Sequence, residues 1–145
     1  GEKLASEIGV HPHIPIEESV AYLGFSFGEL IDDYGKDQAE IKYKREGRQS
    51  FLPVKVMQSI ISEGGYDLVV TTNSPRTERA AILAAGILGI PSVCMVDLFA
   101  LHAIKWISNE NYASKLCVLS DSVKVSFVKA GRPAGDGRYR YQTDQ

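Results

Sequence analysis

The chain has only two cysteines, Cys94 and Cys117, in 145 residues. Both sit inside apolar runs that read as buried strands, so a disulfide framework is excluded and two reduced core thiols are expected. No apolar stretch approaches the roughly 20 residues that span a bilayer; the longest runs from Ala80 to Pro91. No secretory leader is evident, so a cytoplasmic protein is expected. A net charge of -2 gives no electrostatic case for nucleic acid or an anionic membrane. Thr71 to Pro75 contains no glycine, so the dinucleotide fingerprint is absent, as are a Walker lysine motif and a zinc pattern. No cofactor and no metal are therefore expected. His11 and His13 alternate as on one side of a strand, but no cysteine or acidic cluster at ligand spacing completes a metal site, and a solvent-facing loop is the reading.

What is present is ordinary in bulk and specific in order. Hydrophobic residues are 44% and charged residues 23%, the composition of one globular domain with its own core. The stretch from Gly65 to Gly131 alternates apolar runs with amphipathic segments. Strands are predicted over Asp67 to Thr72, Ser92 to Val96 and Leu116 to Leu119. The first is apolar on both faces, as a central parallel strand must be. Helices are predicted over Pro53 to Glu63, Arg76 to Leu88, from Leu98 to Ile107, and after Ser120-Asp121-Ser122 to Gly131. Ser74 is a candidate cap and Pro75 fits a first helical position. Ala80, Ala81, Ala84, Ala85 and Gly86 make the second of these helices able to approach a neighbour closely. Strand and helix in alternation predict an α/β fold, a Rossmann-like three-layer sandwich with a mainly parallel sheet.

The remainder carries a weaker pattern. A short helix is expected over Lys3 to Ile8. Val20, Leu23, Phe27, Leu30 and Ile31 recur at helical spacing, against Gly24 and Gly28. Residues 34 to 49 are polar and charged, and read as a solvated, mobile loop or helix face. The division expected is a domain over 1–131, least patterned over 17–52, and a frayed tail over 132–145.

In open parallel sheets ligands bind outside the carboxyl ends of the strands. Those ends carry Thr72, Asn73, Ser74 and Arg76, then Asp97, Phe99 and His102, then Ser120 and Asp121. Helix N-termini there attract anions, and Arg76 and Arg79 would add cations for phosphate or carboxylate. His102 could act as a general base with Asp97 orienting it. The bland readings are helix caps for Ser74, Asp97 and Asp121 and surface residues for Arg76 and His102.

Tyr66 to Gly131 resembles part of the amino-terminal domain of the GT-B superfamily, in particular bacterial glycosyltransferase-like proteins and UDP-N-acetylglucosamine 2-epimerases. The similar features are the Asp67-Leu68-Val69-Val70 strand, the turn Thr72-Asn73-Ser74-Pro75-Arg76, and the alanine-rich helix closed by Leu88-Gly89-Ile90-Pro91. The strand ending in Asp97-Leu98-Phe99, and Cys117-Val118-Leu119-Ser120 leading to Ala130-Gly131, are similar too. The resemblance implies one half of a bipartite, UDP-sugar-dependent enzyme of bacterial polysaccharide biosynthesis. Its carboxyl-terminal domain would hold the nucleotide. The amino-terminal domain would hold the acceptor or part of the sugar on loops 72–76, 97–102 and 120–122. Thr72, Asn73, Ser74, Arg76, Phe99 and Ser120 would then bind substrate, with His102 or Asp97 as catalytic base. The expected partners are a nucleotide-sugar or sugar acceptor, and a carboxyl-terminal domain or partner subunit. The family opens with a strand and a glycine-bearing turn, which residues 1 to 16 do not show, and continues past Ala-Gly into a second domain, where this sequence has Arg132 to Gln145. Catalysis by this chain alone is not expected. The alternative class is a non-catalytic α/β module for binding or self-assembly, as a homo-oligomer. A response-regulator-like switch would want paired acidic residues and a late lysine that are not found.

Overall fold

The computed structural model describes residues 1–9, 12–97, 101–102 and 104–135. Two helices open the chain, α1 (Glu2–Ile8) and α2 (Ile16–Tyr34). In α2 the apolar residues recur at helical spacing, and Leu23 and Leu30 are buried. Burying two leucines contributes about 3–6 kcal/mol. The two interior glycines cost about 2 kcal/mol relative to alanine. Burial outweighs propensity, and the segment that the sequence left ambiguous is one continuous helix.

Gly35, at φ 76°, turns the chain directly from α2 into α3 (Lys36–Glu46). Its N–H donates to the Ile31 carbonyl at 2.7 Å, and its own carbonyl accepts from Ala39 N at 2.9 Å. A side chain there would be strained, which is why glycine stands at this corner. The segment over 34 to 49, read as a solvated loop or helix face, is mainly a helix with an exposed outer face, and its inner face is packed. Tyr43 stacks on Phe51 with ring centroids 5.5 Å apart and meets Phe27 edge-on at 5.5 Å. Ala39 is fully buried. A polar helix is thus held by one aromatic and one small residue. With Ala5, Leu23, Leu30 and Phe51 these form a helical core of their own.

After a 3-10 turn (Gly47–Ser50) the α/β part begins with α4 (Val54–Gly64). Then follow β1 (Val69–Thr71), α5 (Thr77–Leu88), β2 (Ser92–Met95), α6 (Ile104–Ile107), β3 (Lys115–Cys117) and α7 (Asp121–Lys129). Among the described residues the three strands form one parallel sheet in the order β1-β2-β3, with Thr71 opposite Cys94 and Cys94 opposite Leu116. Each strand is shorter than its apolar run. The small residues of α5 do what their size allows: Ala80 and Ala84 are fully buried against Met57 and Ile61 of α4. Gly89, left-handed at φ 70°, ends α5 and lets Ile90 N bond the Ala85 carbonyl at 2.9 Å.

The helices lie on one face of this sheet. Ile82 of α5, Ile107 of α6 and Phe127 of α7 pack with Cys94 and Leu116, while α4 and α5 cover Val69. The opposite face carries Val70, Met95 and Cys117, which the register places on one side. Val70 and Met95 are each 55% exposed. β1 was expected to be buried on both faces as a central strand; here it lies at the sheet's edge with one face open. Cys94 is a buried free thiol as expected, but Cys117 is exposed, because its register puts it on the open side. The α/β class and parallel sheet stand. A third layer is not present among the described residues.

Candidate functional site

The three strands end at the same side, and their carboxyl-terminal loops form a ledge. The loop after β1 is drawn to the loop after β2 by one side chain. Asn73 is 5% exposed, and its Oδ1 accepts from the Asp97 backbone N–H at 2.9 Å. The Cys94 thiol adds a bond to the Thr72 carbonyl at 3.4 Å. Val96 N bonds the Cys117 carbonyl at 2.7 Å and carries the tie across to β3.

Glu78, in the first turn of α5, is the polar hub. Its carboxylate accepts from the Thr72 hydroxyl and from Ser74 N, the latter at 2.9 Å. Ser74 was expected to cap this helix by its side chain; Glu78 reaching back to the backbone takes that part. A carboxylate at the N-terminus is favoured by the helix dipole, so it already answers part of the positive potential there. Anion binding by the bare helix end is weakened to that extent. Ligand recognition on this ledge must come from side chains more than from the dipole.

Two arginines stand close by. Arg79 packs its guanidinium over the Trp106 ring, 5.2 Å from the centroid. Its Nε is buried without a hydrogen-bond partner among the described residues. Arg76 is half-buried at the start of α5. Tyr22 of α2 closes one side of the ledge, its hydroxyl 2.8 Å from the Thr77 Oγ1.

The third loop is a true cap. Ser120 Oγ accepts from Val123 N at 3.4 Å and shares a hydrogen bond with Ser122 Oγ at 2.9 Å, so Ser120 starts α7 as its serine cluster predicts. Asp121 is exposed in the first turn. Asp97 and His102 are both exposed; residues 98–100, Phe99 among them, lie outside the described residues. His11 also lies outside them, and His13 is exposed. Among the described residues no group of three or more histidine, cysteine and acidic side chains could hold a metal ion, and no helix is long and apolar enough to cross a membrane.

The structure therefore brings Thr72, Asn73, Ser74 and Asp97 together directly, with Arg76 at the same loop. The sequence places Glu78 as a favourable charge in the first turn of this helix, as found; its bonds back to Thr72 and Ser74 were not foreseen, although its spacing from Ser74 is close to that of a capping box. Sequence reasoning also missed Arg132, whose guanidinium donates to the carbonyls of Asn109, Tyr112 and Ala113, the last at 2.8 Å, and so clamps the loop before β3. No local pattern announces that contact. Beneath the ledge, burial pushes the Cys94 thiol up, and burial and the adjacent Cys94 push the Tyr112 phenol up. Both shifts favour the neutral form. No protein-family model, no curated protein and no solved structure matches this chain.

Proposed function

We propose that the chain is the acceptor-side, amino-terminal half of a nucleotide-sugar-dependent glycosyltransferase or UDP-N-acetylglucosamine 2-epimerase-like protein. The observation that carries this reading is the Asn73–Asp97 bond, which fuses two strand-end loops into one polar ledge at the carboxyl edge of a parallel sheet. On this reading Thr72, Ser74 and Arg76 hold sugar or phosphate oxygens. The unpaired Arg79 Nε supports an oxygen-rich ligand nearby. Asn73 is a positioning residue that sets the spacing of the ledge. Asp97 or His102 supplies the base once a carboxyl-terminal domain brings the nucleotide to the cleft. The chain alone binds without turnover, and a cytoplasmic setting goes with this reading.

The test is calorimetric titration with UDP-N-acetylglucosamine. Arg76→Ala is expected to weaken binding about tenfold or more, the share of one charged hydrogen bond, with unchanged thermal unfolding. Equal affinity in the variant counts against the role of Arg76.

A second reading has its own observation. The open sheet face with Val70 and Met95 is what a self-assembly module would present, because parallel sheets are covered on both faces. Under that reading the ledge is only a set of caps and ties.

A further inference from the structure

A cleft of about 850 Å³ runs between α2 and α4, with its polar lining almost all of one sign. Gly24 and Gly28 lie in its wall, and a Cβ at Gly28 would meet nothing within 4 Å, so the cleft is open at its base. Phe25, 63% exposed, stands on the α2 side, and Ile60, 50% exposed, on the α4 side. Glu18 and Glu63 flank these apolar residues and are exposed. The Lys55 ammonium is bonded to Asp32 at 2.8 Å, and the Glu29 carboxylate is committed to the backbone of α4. The rim is left acidic around an apolar centre.

The complement to this shape exists in the same sequence. Helix α3 turns Ala39 and Tyr43 inward and presents Ile41, 55% exposed, outward. Lys44 and Arg45, three and four positions on, share the face of Ile41; Arg48 lies past the helix end, in the 3-10 turn that Gly47 opens. Asp37 stands one turn earlier on that face, and Arg45 also bonds Glu46. Over residues 36–50 as a whole, five cations stand against three acids.

We propose that the α2–α4 cleft receives helix α3 of a second copy of this chain, with Ile41 seated between Phe25 and Ile60, and with Lys44 and Arg45 facing Glu18 and Glu63. Within one chain α3 cannot serve, because its inward face already packs on α2. The contact joins an apolar centre to a charged rim of matched sign, the usual anatomy of a specific interface. It does not rest on the sugar-nucleotide reading.

Sedimentation velocity over a concentration series, at low and high salt, tests it. The wild type is expected to self-associate, and more weakly at high salt, because rim charges are screened. Lys44→Glu with Arg45→Glu, and separately Glu18→Lys with Glu63→Lys, are each expected to weaken association about tenfold or more. All four residues are exposed, and circular dichroism checks that both variants fold. Mixing the two variants should restore association, since the reversed charges complement each other. A monomer at every concentration overturns the proposal. So does association that survives both reversals and is lost in Met95→Lys, which would assign the contact to the open face of the sheet.

Discussion

Asn73 shows how one side chain decides the shape of the ledge. It is buried and polar, so it must be satisfied, and it takes its partner from a loop 24 residues away. Asn73→Ala leaves the Asp97 N–H without that acceptor and is expected to cost about 1–3 kcal/mol. A urea titration at constant m-value checks this. Gly28 is the opposite case. It sits within a helix with open space where a Cβ would go, and Gly28→Ala is expected to stabilise the chain by about 0.5–1 kcal/mol, read as a higher urea midpoint. Cys94 and Tyr112 give a pH dependence whose sign is fixed by burial. The folded state holds both neutral, while the unfolded chain ionises them near 9.0 and 10.0. Their contribution is complete below the unfolded values and is lost as the pH rises above them. Stability measured against pH should therefore fall above about pH 9, and Tyr112→Phe should flatten part of that fall. A curve as steep in Tyr112→Phe as in the wild type would place the alkaline loss elsewhere. At this scale the sequence was legible only in part. The residue types on the ledge followed from the general rule for parallel sheets. Their partners did not, because Glu78 and Asp97 are chosen by the fold and not by local spacing.

Helix α4 depends on a residue in another helix. Its first N–H groups are met by the carboxylate of Glu29 in α2, with Lys55 N at 3.1 Å and Val56 N at 2.7 Å. This is an N-cap supplied from 26 residues upstream, and it also ties the helical core to the α/β part. Glu29→Ala is expected to cost about 1–2 kcal/mol, typical of losing a cap. Hydrogen exchange should show the loss first at the start of α4; unchanged protection there would deny Glu29 this part. The elements that could be read were those whose stripe and stop signals agree. Helix α5 has alanines on one side and Gly89 behind it, and it lies within a residue of its expected start. Only the solvated face of helix α3 was read, because its charged residues dominate the pattern, while Ala39 and Tyr43 hold down the other side. Strand β1 was overread. Apolar Val69 on one side, and Leu68 and Val70 on the other, signalled burial on both faces, but the described sheet covers only the Val69 side.

The whole molecule joins a helical core at Leu23, Leu30 and Phe51 to a sheet-and-helix core at Cys94, Ile107 and Phe127. Both the cleft and the open sheet face are places where this arrangement exposes apolar surface that a partner could cover. The parallel topology was legible in the alternation of apolar runs with helices. The bare face was not, since a strand's pattern does not say whether a second layer meets it. The central claim is that the ledge at the strand ends binds a sugar nucleotide or sugar. It is tested most directly by titrating UDP-N-acetylglucosamine into isotopically labelled protein and following the backbone amide resonances. The account predicts that the shifts which move are those of Thr72 to Ser74, Arg76, Asp97 and Ser120, and that they move together along one binding curve. Spectra that stay unchanged at saturating ligand, or shifts confined to the α2–α4 cleft, would contradict it.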